Sequence, residues 1–508
     1  MESTQGRHPR RWLILVVLCL STLVLVVDNM VLTVAIPPLA ADLGAGAQDT
    51  QWILESYVLV FAGLLLTAGG LSDRYGRRRV MVIGLVVFGA ASLVAAYAGD
   101  PVQLIAARAL MGVGGALIMP STLSILITVF DDAERRKAMA AWSAVAMVGL
   151  IGGPVLGGVL IAWFWWGAVF LINVPIAVLA IVAALTLMPE SKGPWTKPDP
   201  LGAILSVVGM TALVWTIIEL PQHGLAHPAT AVTAGLAVLA LTGFVMWELR
   251  TAHPMVPLGL FRNRTFSGGS FSLTLVQIGN GGLLLVLTQY LQYVLGYTPT
   301  QAGLAFIPMA IASLSFNTLG ATLGSRIGNR ALIVAGLTVS ACGFGLLSAA
   351  SAEHGFVLPA AALLLLGAGG GLAMPAAVSA LMGTVPAEQA GVGSALNDTI
   401  QQMGAALGIA MLGSVLAGTY TAAMPADAPE AARRSIADAL TTGDATLAQA
   451  AREAFTTAMS SAFVISAAGV LAAAVLALIV LRREKAAAPP SAAPADAPER
   501  VLVPATHS

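Results

Sequence analysis

The chain has 508 residues, 57% of them hydrophobic and 10% charged, with 25 basic and 25 acidic side chains in balance. A mean hydropathy of +0.85 exceeds what a soluble core of that length needs and excludes an ordinary globular protein. No basic tract is long enough to suggest a nucleic-acid partner. Charge-free stretches such as Trp12 to Val27, Val80 to Ala98 and Thr456 to Leu481 can each cross a bilayer, which takes about 20 residues of helix at ~1.5 Å each.

In chain order, this length rule places about fourteen spans, starting near Trp12, Gln51, Val80, Pro101, Ala138, Trp165, Leu201, Thr230, Phe266, Thr300, Ala331, Val357, Gly391 and Thr456. An even count puts both termini on one side. The clusters Arg7/Arg10/Arg11, Arg74/Arg77/Arg78/Arg79, Arg135/Arg136/Lys137, Lys192/Lys197, Arg250/Arg262/Arg264, Arg326/Arg330 and Arg482/Arg483/Lys485 mark that side as cytoplasmic. Opposite loops carry Asp42, Asp49, Asp100 and Glu353; only the long loop between the last two spans departs, with Arg433, Arg434 and Arg452, and long loops weigh little in topology. The first span follows an Arg cluster but is too long for a signal peptide and lacks an A-x-A-like cleavage site, so it is expected to persist as a helix. The Ala- and Pro-rich tail, 486–508, reads as a disordered cytoplasmic end. The loop from about Gly418 to Phe455 reads as short amphipathic helices capping the exit or as a loose linker.

Cys19 and Cys342 sit singly in apolar runs and imply no disulfide framework. His8, His223, His227, His253, His354 and His507 all fall in tails or expected loops, so neither a metal site nor an intramembrane histidine relay is expected. Proton chemistry then falls to carboxylates.

The chain repeats itself. GVGGALIMPSTLSIL from Gly112 aligns with GAGGGLAMPAAVSAL from Gly367, and GGLSDRYGRRR from Gly69 has a worn echo in GATLGSRIGNR from Gly320. These echoes predict two six-helix bundles with an extra pair of spans between them, from about Leu201 to Leu249, and hence alternating access around a site near the bilayer midplane.

Ionisable residues inside spans are costly and are kept for a task. Asp28, in VVDNMVLTVAIP, is placed to bind a proton from one side and release it to the other; the alternative is a carboxyl merely hydrogen-bonded within the bundle. Asp398, in SALNDTIQQMG, has Asn397, Gln401 and Gln402 as polar company and is a second proton site, a cation anchor or a structural acid. Glu55, one turn from Trp52, is a site residue or a vestibule charge, whereas Glu219 and Glu248 lie at helix ends within reach of the interface. Arg108, in RALMGVGGA, cannot lose its charge and needs an acidic or carbonyl partner within the first bundle, either to bias that partner's protonation or as a clamp. Leu363 matches it in the repeat.

In GLIGGPVLGG, Gly149, Gly153, Gly157 and Gly158 let backbones touch and Pro154 removes a backbone hydrogen bond, for conformational change or for plain tight packing. In GGLSDRYGRRR, Asp73, Arg74, Gly76 and Arg77 form a gate between bundles or a topogenic basic loop. Polar and aromatic residues of the spans supply the cavity candidates: Trp52, Tyr57, Phe61, Gln277, Asn280, Gln289, Tyr290, Phe306 and Asn317.

Over nearly its whole length the sequence resembles the fourteen-span drug:proton antiporters of the major facilitator superfamily. GGLSDRYGRRR resembles the superfamily's loop motif, LIAARALMGVGGA its fourth-helix motif, and GLIGGPVLGG the fifth-helix motif of antiporters. VVDNMVLTVAIP resembles the first-helix motif of the fourteen-span group, which implies proton coupling at Asp28; WILES implies a site role for Glu55, and Asp398 matches a position where cation exporters often carry an acid. PMAIAS departs from relatives that take divalent cations, offering Ser313 where they have an acid, which argues for monovalent substrates.

The expected architecture is an all-α integral membrane protein of major facilitator fold, with bundles at 1–190 and 266–485 and the inserted pair at 191–265. The expected function is proton-coupled export of hydrophobic, often cationic, drugs from a bacterial inner membrane, as a monomer without cofactor or metal. A dedicated exporter of an endogenous antibiotic, lipid or siderophore is the alternative; a symporter, a channel and a membrane-bound enzyme rank lower.

Overall fold

Apolar chain in lipid must satisfy its own backbone hydrogen bonds, and helix is the local way to do so. The computed structural model describes residues 9–130, 132–192, 199–252, 254–256, 258–351, 355–382 and 390–481. The tail 486–508 and His8, His253, His354 and His507 lie outside the described residues. The first half builds α1 (Arg11–Leu43), α2 (Ala47–Tyr75), α3 (Arg77–Ala96), α4 (Pro101–Val129), α5 (Asp132–Trp163) and a broken span, α6 (Ala168–Leu171) with α7 (Asn173–Leu187). The inserted pair is α8 (Pro200–His223) and α9 (Pro228–Arg250).

A 3-10 turn at Leu258–Arg262 leads into α10 (Arg264–Gln289), which ends in a π turn at Tyr290–Val294. Then come α11 (Pro299–Leu304), α12 (Ile307–Ile327), α13 (Asn329–Ser348), α14 (Val357–Met382), α15 (Ala390–Ala423), the short α16 (Glu430–Arg434) and α17 (Ile436–Thr441), and α18 (Ala445–Val480). Among the described residues, twelve segments are long and apolar enough to cross a membrane, and α2, bent by 55° between Leu65 and Thr67, is a thirteenth; the 32-residue α5 carries a shorter apolar helix at Gly152–Trp163. Side-chain caps start several of them: Asp100 accepts from the Gln103 amide at α4, and Asp199 from the Gly202 amide at α8.

The duplication in sequence is a duplication in packing. α4 lies between α2 and α3 as α14 lies between α12 and α13; α1 packs on α5 and α7 as α10 packs on α15 and α18. The repeated glycines hold matching posts. A Cβ on Gly114 would sit 2.8 Å from the Gly84 carbonyl oxygen of α3, and one on Gly369 would sit 2.5 Å from the Gly336 carbonyl oxygen of α13. Only glycine admits helix backbones this close.

Two expectations need correction. The last span begins at Ala445 rather than near Thr456, because the Asp444 side chain accepts from the Thr446 and Leu447 amides and the Ala-rich segment behind it has high helix propensity. His223 ends α8 rather than lying in a loop, and its Nδ1 meets the Glu219 carboxylate at 2.7 Å.

Candidate functional site

Five helices of the first bundle converge on one buried polar cluster. On α1, Val24, Leu25, Val31 and Leu32 are buried around Asp28 and turn it into the bundle. On α4, Leu104, Ala107 and Met111 do the same for Arg108. Asp28 and Arg108 are each 1% exposed, and Arg108 Nη1 meets Asp28 Oδ2 at 2.5 Å. The guanidinium also donates from Nε to the Ile53 carbonyl of α2 at 3.2 Å and lies 4.4 Å from the Tyr57 ring centroid, a cation–π contact. Asp28 Oδ1 accepts from Asn173 Nδ2 of α7 at 2.7 Å, and the same amide lies 3.4 Å from Ser92 Oγ of α3.

The partner that Arg108 required is thus both acidic and carbonyl. The low-dielectric setting makes the pair strong but conditional: each ion is held only while the other remains charged and in place. Sequence reading had singled out neither Asn173 nor Ser92. Tyr57 stacks on Phe61 with centroids 5.6 Å apart, so these two candidates belong to the same cluster.

The other candidates are spread over both bundles. Glu55 is wholly buried, its carboxyl against the Ala410 backbone of α15 and without a hydrogen bond of good geometry. Asp398 is half-buried on α15 and accepts from Asn397 Nδ2 at 3.1 Å. Trp52 packs on Trp215 of α8, ring centroids 5.1 Å apart. Gln277 and Asn280 on α10 and Asn317 on α12 are half-buried, and Phe306 is in the second core. Tyr290 is fully buried and donates to the Ser351 carbonyl at 2.9 Å, a structural tie. Gln289 lines a cavity at the end of the molecule away from the Arg-rich loops, here called the far end.

That far end is where the bundles close on each other. The GLIGGPVLGG face is divided between two neighbours. Gly149, Gly153 and Gly157 abut Val26, Met30 and Val31 of α1, while Gly158 and the Pro154 carbonyl abut Thr300 and Gly303 of α11 in the other bundle. Thr300 Oγ1 donates to the Gly158 carbonyl at 2.8 Å, and Gln292 Nε2 donates to the Val34 carbonyl of α1 at 3.0 Å. On the other flank Gln51 of α2 fills the space beside Gly413 of α15. The inserted α8 covers this seam: Val207 presses on Gly63 of α2, and Ser414 Oγ of α15 donates to the Ile217 carbonyl at 2.8 Å.

At the Arg-rich end, Asp73 Oδ1 accepts from Arg77 Nε at 2.9 Å inside its own bundle, and Arg77 Nη1 reaches Thr128 Oγ1 at 2.5 Å. Arg74 lies over the neighbouring Tyr75 ring. Gly76 has φ +113, and a Cβ there would fall 2.7 Å from the Glu190 carboxylate. Glu190, also missed in the sequence, accepts from the Arg78 and Arg79 amides and caps α3. Among the described residues no group of three or more His, Cys, Asp or Glu is arranged to hold a metal.

Comparison with known proteins agrees with this architecture. The family model described as Major Facilitator Superfamily matches residues 18–409 and, in an overlapping match, 269–506. The multidrug efflux pump LfrA of Mycolicibacterium smegmatis is 37% identical over 82% of this chain and 83% of its own length. The cephamycin export protein CmcT of Amycolatopsis lactamdurans is 38% identical over 81% and 86%, and the methyl viologen resistance protein SmvA of Salmonella typhimurium is 34% identical over 84% and 87%. Among solved structures, a bacterial homologue of the human lysosomal transporter Spinster, in an inward-facing and occupied conformation, superposes with a TM-score of 0.70 at 16% identity, covering 94% of this chain and 97% of that one.

Proposed function

The chain belongs to the Major Facilitator Superfamily, and on that premise we propose that it is a proton-driven antiporter exporting hydrophobic, often cationic, drugs or antibiotics across a bacterial inner membrane. The observation that carries this reading is the buried Asp28–Arg108 pair. A titratable acid locked to a permanent cation in a buried core is a two-position device: protonation of Asp28 releases Arg108, and loss of the proton recaptures it.

With the Arg-rich end cytoplasmic, the far-end seal faces outward and the conformation is closed to the outside. The bundles 1–190 and 266–485 rock so that this seal opens and closes, with α8 of the inserted pair packed on the α2/α15 seam. Asp28 and Asp398, deprotonated, favour substrate entering from the inside or the inner leaflet; outward rocking then exposes the acids, protonation displaces the substrate, and proton return resets the carrier. Exchange of one proton for one monovalent cation moves no net charge, and an unequal exchange also gains ~2.3 kcal/mol per charge per 100 mV. The carrier works as a monomer, without cofactor and without catalytic chemistry. CmcT supports a second reading, a dedicated exporter of an endogenous antibiotic with the same machinery.

Everted vesicles with an imposed pH gradient test the proposal. Wild type is expected to accumulate ethidium only while the gradient stands, Asp28→Asn to lose that accumulation and Asp398→Asn to reduce it. An intact gradient with no movement of ethidium, or of any other lipophilic cation, in wild-type vesicles removes the multidrug reading in favour of a dedicated exporter.

A further inference from the structure

At the far end a cavity of about 50 Å³ lies between the bundles, walled by Ile36 of α1, Gln51 of α2, Gln289 and Tyr293 of the α10 end, Tyr420 of α15 and Phe455 of α18. Gln51 is 3% exposed, and its Oε1 is a buried acceptor with no hydrogen bond. Proteins seldom keep such an acceptor empty, because the water it gave up on burial has not been replaced. Its place also matters, since the cavity lies where the two bundles must part to release anything outward.

The cavity is roofed. Residues 435–437, at the start of α17, line it, and the roof is tied down by the Tyr420 hydroxyl of α15 donating to the Ala432 carbonyl of α16 at 2.9 Å and by the packing of α17 on α18. These anchors all belong to the second bundle. The roof therefore travels with that bundle and uncovers the cavity from the α1 side when the seam opens. Arg434 at the rim is ion-paired with Glu430 at 2.5 Å, and none of the lining residues is acidic. What the walls offer is hydrogen-bond acceptance and aromatic surface, not negative charge.

We propose that this cavity is an exit subsite that holds lipophilic substrates by an N–H or O–H donor, with Gln51 as the acceptor, before the α16–α17 roof clears. The proposal rests on the export reading above. In the closed state the volume suits ordered water, which occupies the donor's place until the seam widens. Selection here is by donor and not by charge, so it is separable from selection at the acids.

The test compares two monovalent lipophilic cations in everted vesicles: ethidium, which carries aromatic N–H donors, and tetraphenylphosphonium, which has none. Gln51→Leu and, separately, Gln289→Leu should cut ethidium transport about ten-fold, the worth of one hydrogen bond, and leave tetraphenylphosphonium within about two-fold of wild type. Retained tetraphenylphosphonium transport also shows that each variant is folded. Equal loss of both cations overturns the subsite in favour of a plain sealing role, and unchanged ethidium transport overturns it in favour of a water-filled gap. A wild type that moves neither cation removes the multidrug reading on which the subsite rests, and the subsite with it.

Discussion

Arg108→Ala should abolish gradient-driven export and destabilise the purified protein by about 3–5 kcal/mol, the cost of stranding one member of a buried ion pair. The reason is local. Arg108 is the cation bonded to Asp28, the donor to the Ile53 carbonyl and the charge over the Tyr57 ring, so its loss undoes three contacts among α1, α2 and α4. Asp28→Asn introduced into the same chain removes the stranded charge and should restore most of the stability while restoring no transport. Arg108→Lys should fall between the two, since an ammonium keeps the charge but cannot bond Asp28 and the Ile53 carbonyl in the geometry of the guanidinium fork. Thermal unfolding in detergent and pH-driven uptake, measured on the same four proteins, check this; a double variant that transports would show that the pair is structural only.

Gly303→Leu should be the most damaging substitution in the far-end seal. A Cβ at Gly303 runs into the Pro154 carbonyl of α5, and the neighbouring Gly158 abuts Thr300, so neither backbone has room to yield. Overpacking of this kind costs about 1–3 kcal/mol. Because only the closed state has the contact, that cost appears as a roughly 5- to 150-fold shift towards the state open at the far end. With Cys19 and Cys342 replaced, a thiol introduced by Gln292→Cys reports the shift: membrane-impermeant reagent should label it faster from outside in Gly303→Leu, and export should fall in parallel. Gly345→Leu on α13, where a new side chain meets open space, is the control and should change export little, within about 0.5 kcal/mol of wild type. Normal export by Gly303→Leu would remove the seal from the cycle.

The repeat was legible because it is written in glycine, whose absence of a side chain is itself the packing instruction; Gly114 and Gly369 meet α3 and α13 in the same way. The need of Arg108 for a partner could be read from its sequence setting. Its partner could not, since Asp28 lies 80 residues away and only the bundle brings them together. Asn173 stayed hidden because a lone amide inside an apolar span carries no charge to mark it, although it serves Asp28. Glu190 stayed hidden for the opposite reason: it reads as an ordinary interface charge after α7, whereas it caps α3 across space. Gln51 looked like the edge of a span, and only the seam against α15 shows that it is buried.

Substrate and proton are proposed to exclude one another through Asp28, and proton release on substrate binding tests this most directly. Tetraphenylphosphonium added to the purified protein in weakly buffered detergent near neutral pH should release protons from wild type and measurably fewer from Asp28→Asn. Undiminished release from Asp28→Asn would place the exchanged proton elsewhere and contradict the coupling role assigned to the Asp28–Arg108 pair.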